Sequence, residues 1–120
     1  MINGAHVLIY SEDADATRAF FRDVLDLPNI DVHDGWLIFR LPPAELGIHP
    51  TDSEGAPGDT HRLCLMCDDV AATVTELEAK GVTFTGPIQD AGFGRTTDMV
   101  VPGGVIVQLY EPRHPVAYDL

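Results

Sequence analysis

The chain repeats itself. An apolar segment beginning at His6 (His-Val-Leu-Ile-Tyr) runs into an acidic turn and a helix-like stretch, and the same order recurs from His61 (His-Arg-Leu-Cys-Leu). Units of this kind cannot bury an apolar face alone, so the repeat predicts two modules folded against each other. In a pseudo-twofold arrangement His6 and His61 take corresponding positions beside a shared cleft. A chain of 120 residues suits one core that buries roughly two-thirds of the unfolded surface. The modules are therefore read as halves of one domain, about 1–52 and 60–112, joined by a Gly- and Pro-rich linker at about 53–59 and followed by a tail, 113–120.

Periodicity supplies the elements. Ala5 to Tyr10 reads as a strand, and Ser11-Glu12-Asp13 offers side chains that cap a helix. From Ala14 to Leu27 the bulky residues Phe20, Phe21, Val24, Leu25 and Leu27 recur at spacings suited to one helical face, until Pro28-Asn29 stops the pattern. Ile30 to Val32 and Trp36 to Leu41 flank Asp34-Gly35 as a hairpin, and Glu45 to His49 reads as a further strand. The second module repeats the plan: a strand from His61 to Cys67, a helix capped by Asp68-Asp69 and stopped at Lys80-Gly81, then strands at Val82–Phe84, Arg95–Val101 and Val105–Tyr110.

Charge narrows the function classes. With 19 acidic residues against seven Lys and Arg, a net charge of −12 opposes binding to a phosphate backbone or an anionic membrane, so neither nucleic acid nor a membrane is an expected partner. No apolar run approaches the roughly 20 residues that span a bilayer, and Met1-Ile2-Asn3-Gly4 lacks the basic and apolar regions of a secretory signal, so the cytoplasm is expected. Cys64-Leu-Met-Cys67 has redox and zinc spacing, but it sits in an apolar strand-like run. There the two side chains point to opposite faces roughly 10 Å apart, which predicts buried free thiols.

Three phrases resemble the vicinal oxygen chelate superfamily, the group of glyoxalases, bleomycin-resistance proteins and extradiol dioxygenases. They are Ala19-Phe20-Phe21-Arg22-Asp23-Val24-Leu25-Asp26-Leu27, close to that family's first-helix phrase; the strand followed by Asp68-Asp69; and Pro102-Gly103-Gly104 ahead of the last strand. The resemblance covers nearly the whole chain. It implies an α+β fold of two βαβββ modules forming a partly open, U-shaped mixed sheet around a cleft. It also implies, for catalytic members, a divalent metal (Zn, Ni, Fe, Mn or Co) held by first- and last-strand residues and acting on a substrate's adjacent oxygens.

Carried over by position, His6 and His61 fall where the family places its first-strand histidines. The last-strand Glu slot holds Gln108, and its counterpart in the first module holds Gly47, which offers no ligand. His49 lies two residues beyond Gly47 on the same face, whereas Glu111 lies three beyond Gln108 and needs a bulge to turn inward. The expected metal set is thus His6, His49, His61 and Glu111, with Glu111 also available as a proton-transfer base; each can instead be a hydrogen-bonded or solvated residue. Trp36, Phe39, Phe93, Arg95, Gln108 and Tyr110 are the expected substrate-binding residues. Trp36 can equally serve as core, and Arg95 as a surface cation. His33 and His114 are expected at the surface. Two readings stand: a metal-dependent enzyme of glyoxalase or dioxygenase type, and a metal-free protein that sequesters a small molecule. A homodimer is expected because open sheets leave edges to cover, with the Pro-containing tail packing across the neighbour.

Overall fold

The computed structural model describes residues 7–46, 48 and 61–119. The expected first strand and the strand at 45–49 fall partly outside this set, as do the linker, His6, Gly47 and His49. Residues 7–10, 45, 46 and 48 have no regular secondary structure, so neither segment is a strand where it is described. The physical reason is visible at Val7, Leu8, Leu46 and Ile48: all are exposed, and no ladder partner lies beside them among the described residues.

Helix α1 spans Ala14–Asp23 and begins where the sequence says it should, with the Asp13 carboxylate accepting from Ala16 N at 3.1 Å. It stops four residues before the expected end. Asp26 adopts a left-handed φ of 56° and Leu27 N bonds back to the Phe21 carbonyl at 3.1 Å, so residues 24–27 form a wrapped cap. Val24, Leu25 and Leu27 still pack on the core from that cap, which is why their spacing imitates another helical turn. The hairpin β1 (Asn29–Asp31) and β2 (Leu37–Phe39) follows and forms a separate two-stranded sheet.

The second module carries the main sheet. Strand β3 (Cys64–Met66) leads into α2 (Val70–Ala79), then β4 (Thr83–Phe84), β5 (Gln89–Asp90), β6 (Gly94–Val101) and β7 (Val105–Pro112). Asp69 caps α2 through Ala72 N at 3.0 Å. Gly81, at φ 87°, closes it with paired bonds from Gly81 N to Glu78 O and Val82 N to Leu77 O, each 3.0 Å. Strand order is β3-β7-β6-β4, with β5 also on β6; β3 and β7 are parallel and the other pairs antiparallel. β5 is absent from the sequence reading because Gln89-Asp90 is polar and only two residues long.

Alternation along the long β6–β7 ladder divides the sheet. Thr97, Met99, Val101, Val105, Val107 and Leu109 are buried, and the apolar ones among them join Val70 and Leu77 of α2 and Phe20 and Phe21 of α1 in one core cluster. The turn Pro102-Gly103-Gly104 ties the modules together. Thr17 Oγ1 donates to Pro102 O at 2.5 Å and Glu12 N to Gly103 O at 2.9 Å. At Gly103 the left-handed φ of 98° combines with close approach of Ser11 and Thr17, so no side chain fits there. The tail turns back onto its own chain rather than leaving it, ending in a short 3-10 helix at Ala117–Asp119.

Candidate functional site

The face of the sheet turned away from the core cluster collects the polar candidates. On β7 the residues between the buried ones are Ile106, Gln108 and Tyr110; register places Cys64 beside Gln108 and Met66 beside Tyr110. Cys64 Sγ lies 3.2 Å from Gln108 Oε1 and donates to it, which fixes both side chains on this open face. Phe93, ahead of β6, sets its ring edge-on to Tyr110 with centroids 5.7 Å apart. Gly94 follows because a Cβ there would strike the Tyr110 ring and the Glu111 carbonyl. Burial pushes the Tyr110 phenol above its usual pKa, with the Glu45 carboxylate adding to the effect, so the group is an O–H donor at neutral pH.

Three of the expected binding residues therefore meet: Phe93, Gln108 and Tyr110. Three others go elsewhere. Arg95 and Glu111 are register partners on the core side of the sheet, 3.9 Å apart. Glu111 Oε1 accepts the Val70 amide at 2.9 Å and so completes the amino-terminal cap of α2. The β6–β7 pairing runs without a bulge up to this position, which leaves nothing to turn the Glu111 carboxylate toward Gln108. Phe39 packs on Phe21, centroids 5.8 Å apart, and Trp36 lies under the Arg18 guanidinium at 4.5 Å. Both hold the hairpin to α1.

The expected metal ligands do not come together in the described part of the chain. His6 and His49 lie outside it; His61 is exposed ahead of β3, and Glu111 serves α2. Among the described residues no group of three or more His, Cys, Asp or Glu side chains can hold an ion. His61 lies three residues ahead of β3, outside regular secondary structure, so strand alternation does not fix its face. Neither Cys64 nor Cys67 is in a disulfide, and each is half-buried rather than buried. Burial raises the Cys67 thiol above its ordinary pKa, which keeps it protonated.

Sequence reasoning missed two members of the neighbourhood. His114, expected at the surface, bonds through Nε2 to the Tyr110 hydroxyl, and Glu45 Oε1 lies 3.8 Å from the same nitrogen. The aromatic-rich end of β7 was visible in the sequence, but the return of the tail over it was not. Two cavities, of about 290 and 270 Å³, open elsewhere, where residues 24–27 meet α2 and the edges of β4 and β3. They are lined largely by core side chains such as Leu77 and Val101 and mark a packing seam between the modules.

Comparison with known proteins settles the family. The family model described as the Glyoxalase/Bleomycin resistance protein/Dioxygenase superfamily matches residues 4–112. The chain belongs to that superfamily. Among solved structures, the glyoxalase-superfamily fold recurs in a lactoylglutathione lyase from Agrobacterium tumefaciens, with a TM-score of 0.60, 22% identity, and coverage of 85% of this chain and 87% of that one. It recurs in an antibiotic-binding protein from a Streptomyces species, TM-score 0.61, 24% identity, covering 93% and 99%. A superfamily member from Sphaerobacter thermophilus gives 0.62, 21%, 91% and 97%. No curated protein shows a significant match. At these identities the likeness fixes the α+β fold with its mixed sheet, while one fold carries both a lyase and a binder, so chemistry must be argued from the residues.

Proposed function

We propose that this superfamily member binds a small, largely apolar molecule on the open face of its sheet and sequesters it without transforming it. One observation carries the reading. Phe93, Tyr110, Gln108 and Cys64 meet on the open face, where Asp98, the register partner of Gln108, adds a carboxylate, while the carboxylate of β7, Glu111, is turned to the other side and committed to α2. An aromatic pair with one amide and one hydroxyl suits a flat ligand that makes few polar contacts. The surrounding charge of −12 favours a neutral or cationic ligand over an anionic one.

The test is a calorimetric screen against aromatic antibiotics and other flat small molecules, followed by mass spectrometry of the bound compound. Unaltered ligand, and binding weakened roughly tenfold or more by Phe93→Ala, support the reading. Affinity indifferent to both Phe93→Ala and Gln108→Ala overturns it. The second reading, a divalent-metal enzyme using Zn, Ni, Fe, Mn or Co, rests on the matched histidines of the repeat, with His6, His49, His61 and Glu111 as its proposed ligands. Stoichiometric metal in the purified protein, lost in both His6→Ala and His61→Ala, would replace the binder with that enzyme.

We further take the modules as one folding unit, supported by the Thr17–Pro102 bond and the shared core cluster. Neither cysteine is in a disulfide, which accords with a reducing cytoplasm. A homodimer is supported by exposed Leu46 and Ile48, at 86% and 87%, and by Val7 and Leu8, all in first-module segments of strand-like sequence. Sedimentation at increasing concentration tests it, and a monomer throughout would remove it.

A further inference from the structure

Tyr110 is only 9% exposed although it lies on the open face of the sheet, and what covers it is the chain's own tail. After Pro112 the backbone turns, with Arg113 N donating to Phe93 O at 2.9 Å and Arg113 Nη1 to Asp90 Oδ1 at 2.6 Å. The imidazole of His114 then comes to Tyr110, ring centroids 5.8 Å apart. His114 Nδ1 is 2.9 Å from the Pro115 carbonyl, which can only accept, so Nδ1 donates to it, while Nε2 pairs with the Tyr110 hydroxyl. Beyond it, Ala117 N donates to Glu45 Oε2 at 2.8 Å, across 72 residues of sequence.

The two anchor points differ in kind. The Arg113 anchor lies within the second module, between neighbouring turns of the same sheet. The Glu45 anchor reaches into the first module, and its two oxygens are divided between Ala117 N and the neighbourhood of His114. A single carboxylate from one module therefore holds the far end of a segment that begins in the other. This segment closes the aromatic end of the open face, because Tyr110 sits beneath it and Phe93 at its margin.

We propose that residues 113–119 are a strap, latched by Glu45, that covers the Tyr110 end of the ligand face and must swing on its Arg113 anchor to admit a ligand. That a ligand enters here rests on the binding reading above; the latch itself does not. Two substitutions release it from opposite sides. Glu45→Ala removes the acceptor, and Ala117→Pro removes the donated N–H at the start of a helical turn, where proline is tolerated.

The readout is nitration of Tyr110 by tetranitromethane, mapped by peptide mass spectrometry, with Tyr10, 88% exposed, as an internal reference in the same digest. In both variants Tyr110 is expected to react about tenfold faster, the scale set by losing one charge-assisted hydrogen bond, with Tyr10 unchanged. The double variant should react no faster than Glu45→Ala alone, because Glu45→Ala already removes the bond that Ala117→Pro breaks. If either single variant fails to fold, the other asks the same question. Equal Tyr110 reactivity in the wild type and the folded variants overturns the strap. The association rate of Nile red separates the two ideas: faster association with faster nitration supports strap and ligand face together, whereas faster nitration with unchanged Nile red kinetics upholds the strap and removes the open face as the ligand site.

Discussion

The two modules start from the same sequence plan and reach different degrees of completion. The second has five strands, a helix capped at both ends, and four side chains, Val70, Met99, Val101 and Val107, at or near zero exposure. The described first module has one helix and a two-stranded hairpin, and a lone hairpin is marginal in water. Its buried residues, Thr17, Phe20 and Phe21, are all on α1. Among the described residues the core is drawn mostly from the second module, and the first adds α1, its cap and Phe39 to it. Duplication of a pattern supplies the parts of a fold, but among the described elements only β6 and β7, with eight residues each, form a long antiparallel ladder for the core to pack on.

The comparison breaks first at Met99. It is fully buried in the main sheet, so Met99→Ala should cost about 3 kcal/mol in denaturant unfolding, while Ile30→Ala in the exposed hairpin should cost under about 0.5 kcal/mol. Similar losses at the two sites would mean that the first module has a core of its own. Next is Gly103, where a side chain is both strained and crowded against Ser11 and Thr17. Gly103→Ala should cost about 2 kcal/mol and should expose the Glu12 amide to hydrogen exchange ahead of the β6–β7 ladder. Loss of protection at both together would show that the modules do not separate at this turn.

The sequence predicts two like modules, not this asymmetry; most of the described elements were legible in it, and the exceptions have physical causes. Both helices start at their expected Asp caps, and the Gly81 stop is where the pattern placed it. Strands β6 and β7 are found from their apolar stretches, Met99 to Val101 and Val105 to Tyr110. In the first module Val7 to Tyr10 and Glu45 to Ile48 have strand-like composition but no ladder partner among the described residues, and β propensity without a partner does not make a strand. At the candidate site, Phe93 and Gln108, singled out through the family resemblance, and Tyr110 lie together on one face. The opposite phase of Glu111 to Gln108 was readable too; what the ladder adds is that no bulge turns Glu111 inward and that Arg95 is its partner on the core side. Glu45 and His114 are 69 or more residues apart in sequence with no local pattern, so their approach depends on the tail's return.

Smaller effects sharpen the contrast. Asp69→Ala should destabilise by about 1 kcal/mol through its lost cap, partly buffered because Glu111 still holds the Val70 amide; the double change Asp69→Ala with Glu111→Ala should then exceed the sum of the singles. Strict additivity would mean that the two carboxylates do not share the helix end. At Cys67 no stability change is expected, but burial keeps its thiol protonated at neutral pH, so iodoacetamide should label it more slowly than a free cysteine in solution, with the rate rising as pH increases. Labelling at the free-thiol rate would place Cys67 in solvent.

The smallest effect concerns what fastens the hairpin to α1. Two contacts do so: Phe21 on Phe39, between partly or fully buried rings, and Arg18 over Trp36, where the indole is 59% exposed. An exposed cation–π contact is worth about 0.5 kcal/mol, and Arg18→Gln keeps most of the side-chain length while removing the charge. It should therefore shift global stability by no more than about that amount, yet alter Trp36 fluorescence, since the guanidinium packs directly on the ring. Loss of the Phe39 side chain should instead loosen hydrogen exchange across β1 and β2 while β6 and β7 remain protected. If Arg18→Gln alone released the hairpin amides, the charge over Trp36 rather than the aromatic pair would be the element that completes the first module.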